Sequence, residues 1–254
     1  MKLEVLLSVM NLNIKDLDKM NITSSCVVIN QCGKSDFFKY KNFKIYSYDE
    51  VGTSNSRNRG LEHISGDIIL LCDDDIVYNK DYEKVVLDEF ARNKSADVII
   101  FNFYNPNRKK RIIKKRRRLH FFNCFNYATY NIAFRRDCIG DIKFNTMFGP
   151  GARFSNGSDT MFIKELLMNK LKIYSCPLYL GTAFNDNSTW FDGFNDSYFY
   201  NKGALFTALN KYFRHFLMFQ YLVRHSYVLS DIKFFSAYKL MLSGSKDYLK
   251  EVYK

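Results

Sequence analysis

The sequence predicts an α/β fold, with a mostly parallel central sheet flanked by helices and a C-terminal helical extension. Three observations predict it. Short apolar or β-branched runs alternate with helical stretches over the first hundred or so residues, the order that parallel strands with helical crossovers require. The run at 67–72 (DIILLC) is too short for a typical helix and suits a strand buried on both faces. It ends in Asp73-Asp74-Asp75, at the carboxyl end of a central strand, where open α/β sheets bind ligands.

The elements follow in order. Residues 3–10 (LEVLLSVM) form the first strand, with Asn11 in the loop at its carboxyl end. Glu4 interrupts that apolar run, so it reads as a strand and not as a secretory signal. A short helix is expected over 14–20, and β-branched strands over 26–30 and 43–48, with Ser35 and Asp36 in the loop between them. Gly52-Thr53-Ser54 opens a helix to about Ile64, with Ser54 as its cap. The acidic strand follows. Tyr82, Val85, Val86, Glu89 and Phe90 keep helical spacing within a helix at 80–93, and 97–103 is another strand. Beyond Pro106 the run at 108–118 is read as a β-ribbon or a loop, and 130–136 as a strand. Phe148-Gly149-Pro150-Gly151 and Asn156-Gly157-Ser158 are turns. A helix over 159–170 and a last strand over 172–176, stopping before Pro177, complete the body. From Gly203 the chain is aromatic, basic and helical.

Composition bounds the function. The 254 residues are 47% apolar and 17% aromatic, enough for a large core, and three prolines leave no room for a long disordered linker. The net charge of +12 is uneven. Residues 108–118 (RKKRIIKKRRR) hold nine cations and no acid, and 201–254 hold nine Lys/Arg against three acids, so the rest is nearly neutral. Two basic segments point to an anionic surface, phospholipid or nucleic acid. Six scattered cysteines without a CxxC pair imply reduced thiols and no zinc site. No apolar run is long enough to span a membrane.

Three adjacent carboxylates repel one another unless a cation neutralises them. Hard oxygen ligands suit Mg²⁺ or Mn²⁺, ions that bridge to phosphate oxygens. The triplet therefore reads as a metal and diphosphate site, against the plainer reading of a solvated acidic turn.

Ser56-Arg57-Asn58-Arg59-Gly60, then Gly66-Asp67, then Asp73-Asp74-Asp75, in one βαβ arrangement, resemble the GT-A glycosyltransferases of family 2. In that family an Arg-Asn-x-Gly helix precedes a strand ending in a DxD motif. Phe148-Gly149-Pro150-Gly151 followed by Gly157-Ser158-Asp159 looks like the family's turn and Glu-Asp motif. Ser188-Thr189-Trp190 looks like the post-catalytic segment of bacterial cell-surface members. The likeness covers roughly residues 1–200 and rests on the order and spacing of the motifs together.

The resemblance implies a Rossmann-like GT-A domain with a nucleotide-sugar-binding half (1–105), an acceptor-binding half (106–200) and an extension (201–254). It implies an inverting transferase acting on a nucleotide-diphosphate sugar, UDP-sugar first, with Mn²⁺ or Mg²⁺ as cofactor. Asp73 and Asp75 would be the DxD pair, with Asp75 the direct metal ligand, Asp73 nearer ribose or sugar, and Asp74 contacting donor or solvent. Arg57 would reach the diphosphate or base; its plainer role is a salt bridge. Asn11 and Asp36 (or Ser35) are candidates near uracil or ribose. Asp159, at a helix N-terminus, is the candidate base that takes the acceptor proton. Two departures stand out. Ser158 replaces the usual Glu, and no histidine lies between His120 and His215, so Asn185 or Asp186 would have to stand in for a metal-binding His. His63 reads as a helix-surface residue. Trp190 could stack on a sugar or equally serve packing, and Asp192 and Asp196 could meet acceptor hydroxyls, although a solvated loop explains those two better.

The partner would be a glycan or lipid-linked acceptor in surface polysaccharide synthesis. The basic segments would hold the enzyme peripherally at the cytoplasmic face of the cell membrane, with no nucleic acid bound. Competing readings are a nucleic-acid binder using 108–118, a nucleotidyltransferase, and an inactive homologue. The first run lacks interleaved aromatics, and the first strand lacks a Gly-rich phosphate loop.

Overall fold

The computed structural model describes residues 1–106, 112–121, 123–125, 127–184 and 193–253. In chain order the strands are β1 (Leu3–Met10), β2 (Ser25–Gln31), β3 (Asp36–Tyr40), β4 (Phe43–Tyr48), β5 (Ile68–Asp73), β6 (Ile76–Tyr78), β7 (Val98–Tyr104), β8 (Arg117–Arg118), β9 (Ile132–Arg135) and β10 (Ile173–Ala183). The helices are α1 (Ile14–Leu17), α2 (Thr53–His63), α3 (Tyr82–Arg92), α4 (Arg136–Ile139), α5 (Ser158–Met168), α6 (Asp196–Leu209), α7 (Arg214–Arg224) and α8 (Phe234–Val252). The strands join one sheet in the order β3-β4-β2-β1-β5-β9-β7-β10-β6, and β8 pairs with β10.

The expected parallel character holds for β4, β2, β1 and β5, and again between β7 and β10. The other half is mixed, because β9 runs antiparallel between β5 and β7. Alternation along β1 places Leu3, Val5, Leu7 and Val9 in one core with Leu17 of α1 and Tyr82, Val86 and Phe90 of α3. Leu6 enters the opposite core, with Phe162, Ile163 and Leu166 of α5 and, at its margin, Leu61 of α2. The sheet is thus covered on both faces, which explains the unalternating apolar run of β5.

Glu4 is buried within β1. Its carboxylate accepts the backbone N–H groups of Ser65 and Gly66 at 2.5 and 2.8 Å and lies 3.4 Å from Lys44 Nζ. Burial alone would raise this carboxyl. The two N–H bonds and Lys44 outweigh burial and lower it. Glu4 therefore fastens the turn before β5 to β1.

Three local expectations change, and the described part of the basic run gains a definite place. Residues 36–40, expected as part of a loop, form the antiparallel edge strand β3, mostly exposed. Its polar, solvent-facing character hid it, since an edge strand packs on one side only. A three-residue strand, β6, follows the aspartates at once. The last strand runs through Pro177 as β10; its pairing shifts between Ser175 and Tyr179, and a bulge tolerates proline. The described part of the basic run is tied down. Asn102 bonds both the N–H and the C=O of Ile113 at 2.9 Å, β8 pairs with β10, and Arg116 makes a two-point ion pair with buried Glu89 at 2.7 and 2.9 Å.

The C-terminal helices pack on the body through α6 and through Tyr248 of α8, whose ring meets Phe148 and Phe154. A Cβ on Gly203 would lie 1.8 Å from Met241 O, and one on Gly244 would lie 1.9 Å from Tyr200 O. Only glycine at both places lets the α6 and α8 backbones touch. Thr207 and Ser245 hydroxyls bond across the same contact at 2.7 Å.

Candidate active site

β5 delivers Asp73 to the carboxyl edge of the sheet, in register with Ser8 of β1. Asp74 and Asp75 turn the chain into β6. Phe184 N–H donates to Asp75 C=O at 2.9 Å, which holds this turn against the end of β10. Asp73 and Asp75 are half-buried and Asp74 is exposed. Desolvation at the turn, then the Asp73 charge, push the Asp74 carboxyl above its ordinary value.

Helix α2 gives the Arg, Asn and Gly of its motif each a physical task. Gly60 lets the helix approach β1, since a Cβ there would lie 2.2 Å from Leu6 Cδ1. Asn58 clamps Phe144 by accepting its N–H at 2.7 Å and donating to its C=O at 2.9 Å. Arg57, 5% exposed, donates through Nη2 to Asp73 Oδ1 at 2.7 Å. Its Nη1 lies 3.8 Å from Asp159 Oδ1, and its guanidinium stands 5.5 Å from the centre of the Phe144 ring. One cation therefore joins the end of the acidic strand to the candidate base, residues far apart in sequence.

Asp159 is in the first turn of α5, where the macrodipole favours negative charge. The Thr129 hydroxyl donates to Asp159 Oδ1. Thr129 is buried in a short 3-10 turn before β9, and nothing in the sequence marked it. The turn at 148–151 fixes the N-termini of α2 and α5 to each other. Ser54 Oγ donates to Phe148 C=O at 2.8 Å and bonds Ser158 Oγ at 2.9 Å, while Thr53 N–H donates to Pro150 C=O at 3.1 Å. Ser54 is thus a bridge and not the expected cap; Gly52 holds the cap position without a side-chain bond. Ser158, at the place of the family's Glu, is buried. Helix α6 supports the approach to α5, since Asn201 Nδ2 donates to Ser155 Oγ at 2.9 Å.

The remaining candidates lie along the carboxyl edge. Asn11 follows β1 with φ of 53°, in the left-handed region that Asn tolerates, and its N–H donates to Gln31 C=O. Asn30 accepts the Leu12 N–H at 2.9 Å and donates to Ser47 Oγ at 3.3 Å, so buried polar groups line this edge. Asp36 is not brought near the aspartates. Four strand steps of about 4.8 Å place it about 19 Å from Asp73, and its Oδ1 accepts the Phe37 N–H. Ser35 is exposed beside it. His63 is half-buried rather than free on the surface: its ring stacks on Tyr46 at 3.8 Å and bonds Tyr48 OH at 2.6 Å. Asn185, Asp186, Ser188, Thr189, Trp190 and Asp192 lie outside the described residues.

Among the described residues no three His, Cys, Asp or Glu side chains gather as a metal cage. The donors at 73–75 are all carboxylate oxygens, which fit Mg²⁺ or Mn²⁺ shared with phosphate oxygens and do not fit a zinc-type site.

The fold is that of known glycosyltransferases. The structure of S. aureus TarS 1–349 in complex with UDP-GlcNAc is similar at a TM-score of 0.67 and 15% identity, covering 99% of this chain and 82% of that one. A longer TarS chain matches at 0.60 and 15%; the match covers 92% of this chain and only 44% of TarS. The mannosyltransferase PcManGT from Pyrobaculum calidifontis, in complex with GDP-Man and Mn²⁺, matches at 0.53 and 11%, covering 99% of this chain and 75% of that one. No curated protein sequence matches the chain. The glycosyl transferase family 2 model matches residues 27–154, from β2 through the turn that ties α2 to α5. That stretch is half of the sequence and holds Arg57 and all three aspartates, and the chain accordingly belongs to glycosyl transferase family 2, with the GT-A fold.

Proposed function

We propose that the chain is an inverting glycosyltransferase that moves a sugar from a nucleotide-diphosphate donor, UDP-sugar first, to a glycan or lipid-linked acceptor. One observation carries the reading. Arg57 contacts both Asp73, at the strand end, and Asp159, at the helix N-terminus. The donor's diphosphate belongs at the carboxyl edge beside Asp73–Asp75, with its nucleoside over the polar ends of β1, β2 and β4. Asn11, Arg57, Asp73 and Asp74 then serve the donor, and Asp36, on the edge strand four strands from β5, falls outside this set. Asp75 with Asp73 would hold Mn²⁺ or Mg²⁺, which, when bound, neutralises the diphosphate leaving group as a Lewis acid.

The chain's own residues supply the rest. Thr129 and Arg57 orient the Asp159 carboxylate. Asp159 takes the acceptor hydroxyl proton as that oxygen attacks the anomeric carbon from the face opposite the diphosphate. The C–O bond to phosphate breaks as the new glycosidic bond forms, and the configuration inverts. TarS and PcManGT, with their UDP-GlcNAc, GDP-Man and Mn²⁺ complexes, support the donor class and the ion. We place the reaction in surface polysaccharide synthesis at the cytoplasmic side of the cell membrane. Among the described residues no helix is long and apolar enough to cross a membrane.

The test is Asp159→Asn. Turnover should fall by about 10²–10⁴-fold, the usual share of a general base, while donor binding read by Mn²⁺-dependent thermal shift stays within about twofold. A loss under about tenfold, or a product with retained anomeric configuration, would sink the assignment.

A further inference from the structure

Helix α7 has apolar residues on two sides. Its inner side is spoken for, since Met218 and Leu222 are buried against α6 and α8. Its outer side carries Phe216, Phe219 and Val223, exposed by 62%, 54% and 55%, preceded by Tyr212 and followed by Tyr227. Positions 212, 216, 219 and 223 are spaced as one stripe of a helix. Phe219 meets Phe234 edge to face at 5.6 Å, and Phe234 meets Phe235, 77% exposed, so the stripe continues onto the start of α8. A surface helix ordinarily turns polar residues outward. A contiguous outward aromatic stripe marks a binding face.

The charges around the stripe decide what covers it. Lys211 stands at one end of α7 and Arg224 at the other, about 16 Å or more apart along an eleven-residue helix. Lys233 and Lys239 are exposed nearby, and Asp231 is the only acid between residues 211 and 239. A second copy of the chain would bring the same cations against these, and like charges facing each other disfavour that pairing. An aromatic stripe between cations suits a bilayer interface, with the rings below the headgroups and the Lys and Arg heads among anionic phosphates.

We propose that the outward face of α7, continued by Tyr227 and Phe235, docks on an anionic phospholipid bilayer. The catalytic reading plays no part in this inference. In the described part of the basic run Arg116 is paired with Glu89, while Lys114, Lys115, Arg117 and Arg118 stay exposed; that run has cations but only Ile112 as an exposed apolar residue, so it lacks the aromatic stripe that singles out α7.

The experiment is co-sedimentation of the full chain with vesicles of 30% phosphatidylglycerol in phosphatidylcholine, and with phosphatidylcholine alone, at low and high salt. Wild type should partition to the anionic vesicles and be released by salt. Phe216→Glu with Val223→Glu alters two exposed positions, so the melting temperature should hold while partitioning falls at least about tenfold. Arg224→Gln should weaken it about fivefold, the equivalent of about 1 kcal/mol per cation. Absence of low-salt binding, or equal partitioning of the double variant, overturns the proposal. So does a concentration-dependent dimer abolished by the same pair, or tighter binding to single-stranded RNA than to vesicles. Donor thermal shift should be the same in all variants, so a failed membrane reading leaves the catalytic reading standing.

Discussion

Arg57 is the residue whose replacement reports most directly on the site. It is 5% exposed and makes one charge-assisted bond of 2.7 Å to Asp73. Such bonds contribute about 1.5–3 kcal/mol. Its second contact, 3.8 Å to an Asp159 that is 40% exposed, is screened by water and is worth at most about 1 kcal/mol. Arg57→Gln should therefore cost about 2–4 kcal/mol, a fall of roughly 4–16 °C in Tm at this chain length. Arg57→Lys keeps the charge but has no planar fork to span two carboxylates, so it should recover only part of the loss. The assay is a double-mutant cycle in urea with Arg57→Gln, Asp73→Asn and both together. The coupling should be near 2 kcal/mol for Asp73 and under about 1 kcal/mol for Asp159→Asn in a parallel cycle. Additivity within about 0.5 kcal/mol at Asp73 would show that the arginine does not hold the strand end, and the link between the two halves of the site would fail with it.

Three further outcomes are expected. Glu4 has a carboxyl below its ordinary 4.5 in the folded chain, so its stabilisation is complete above about 4.5 and drains as pH falls through the folded value. Glu4→Gln should be destabilised at pH 7, and the gap from wild type in urea midpoints should narrow below pH 4.5; a constant gap would contradict the charge-based account. Gly203→Ala drives a methyl to 1.8 Å from the Met241 carbonyl, backbone that cannot step aside, and should lose about 3 kcal/mol or more by calorimetry; a shift under about 1 kcal/mol would refute the contact. Thr129→Val removes the hydroxyl from Asp159 and should lower kcat about tenfold with donor binding unchanged and rescue by Thr129→Ser; a fall in donor affinity instead would assign Thr129 to the fold alone.

How much of this was legible depends on how far a physical demand is concentrated in sequence. A strand buried on both faces must be a short apolar run, and carboxylates crowded at its end call for a cation, so β5 and Asp73–Asp75 stood out as a candidate site in ten residues. The Arg-Asn-x-Gly helix was equally readable, because Gly60 is there for close packing on β1 and Arg57 for the carboxylates. Edge strands carry no such demand, and β3 and β6 passed as loop for that reason. Contacts between distant segments carry least. Thr129 serves Asp159 from thirty residues away, and the Phe144 backbone is held by Asn58, with nothing local to mark either.

Ser158 shows what such distance conceals. By sequence it departs from the Glu that the resemblance leads one to expect. In the fold its hydroxyl meets Ser54, whose own hydroxyl reaches Phe148, and so joins α5 to α2. Ser158 is 3% exposed, and a Cβ on Gly149 would lie 2.9 Å from its Cβ, so the backbone of the 148–151 turn is close against it. A glutamate here would displace Ser54 or leave a buried carboxylate beside a backbone carbonyl, each costly. The serines at 158 and 54 therefore act as one bridge between α5 and α2. Ser158→Glu alone should destabilise the α2–α5 junction and not raise acceptor affinity, and Ser54→Ala in the same chain should recover part of that loss of stability. Gain of acceptor affinity by Ser158→Glu alone would show that the serine pair does not brace the site.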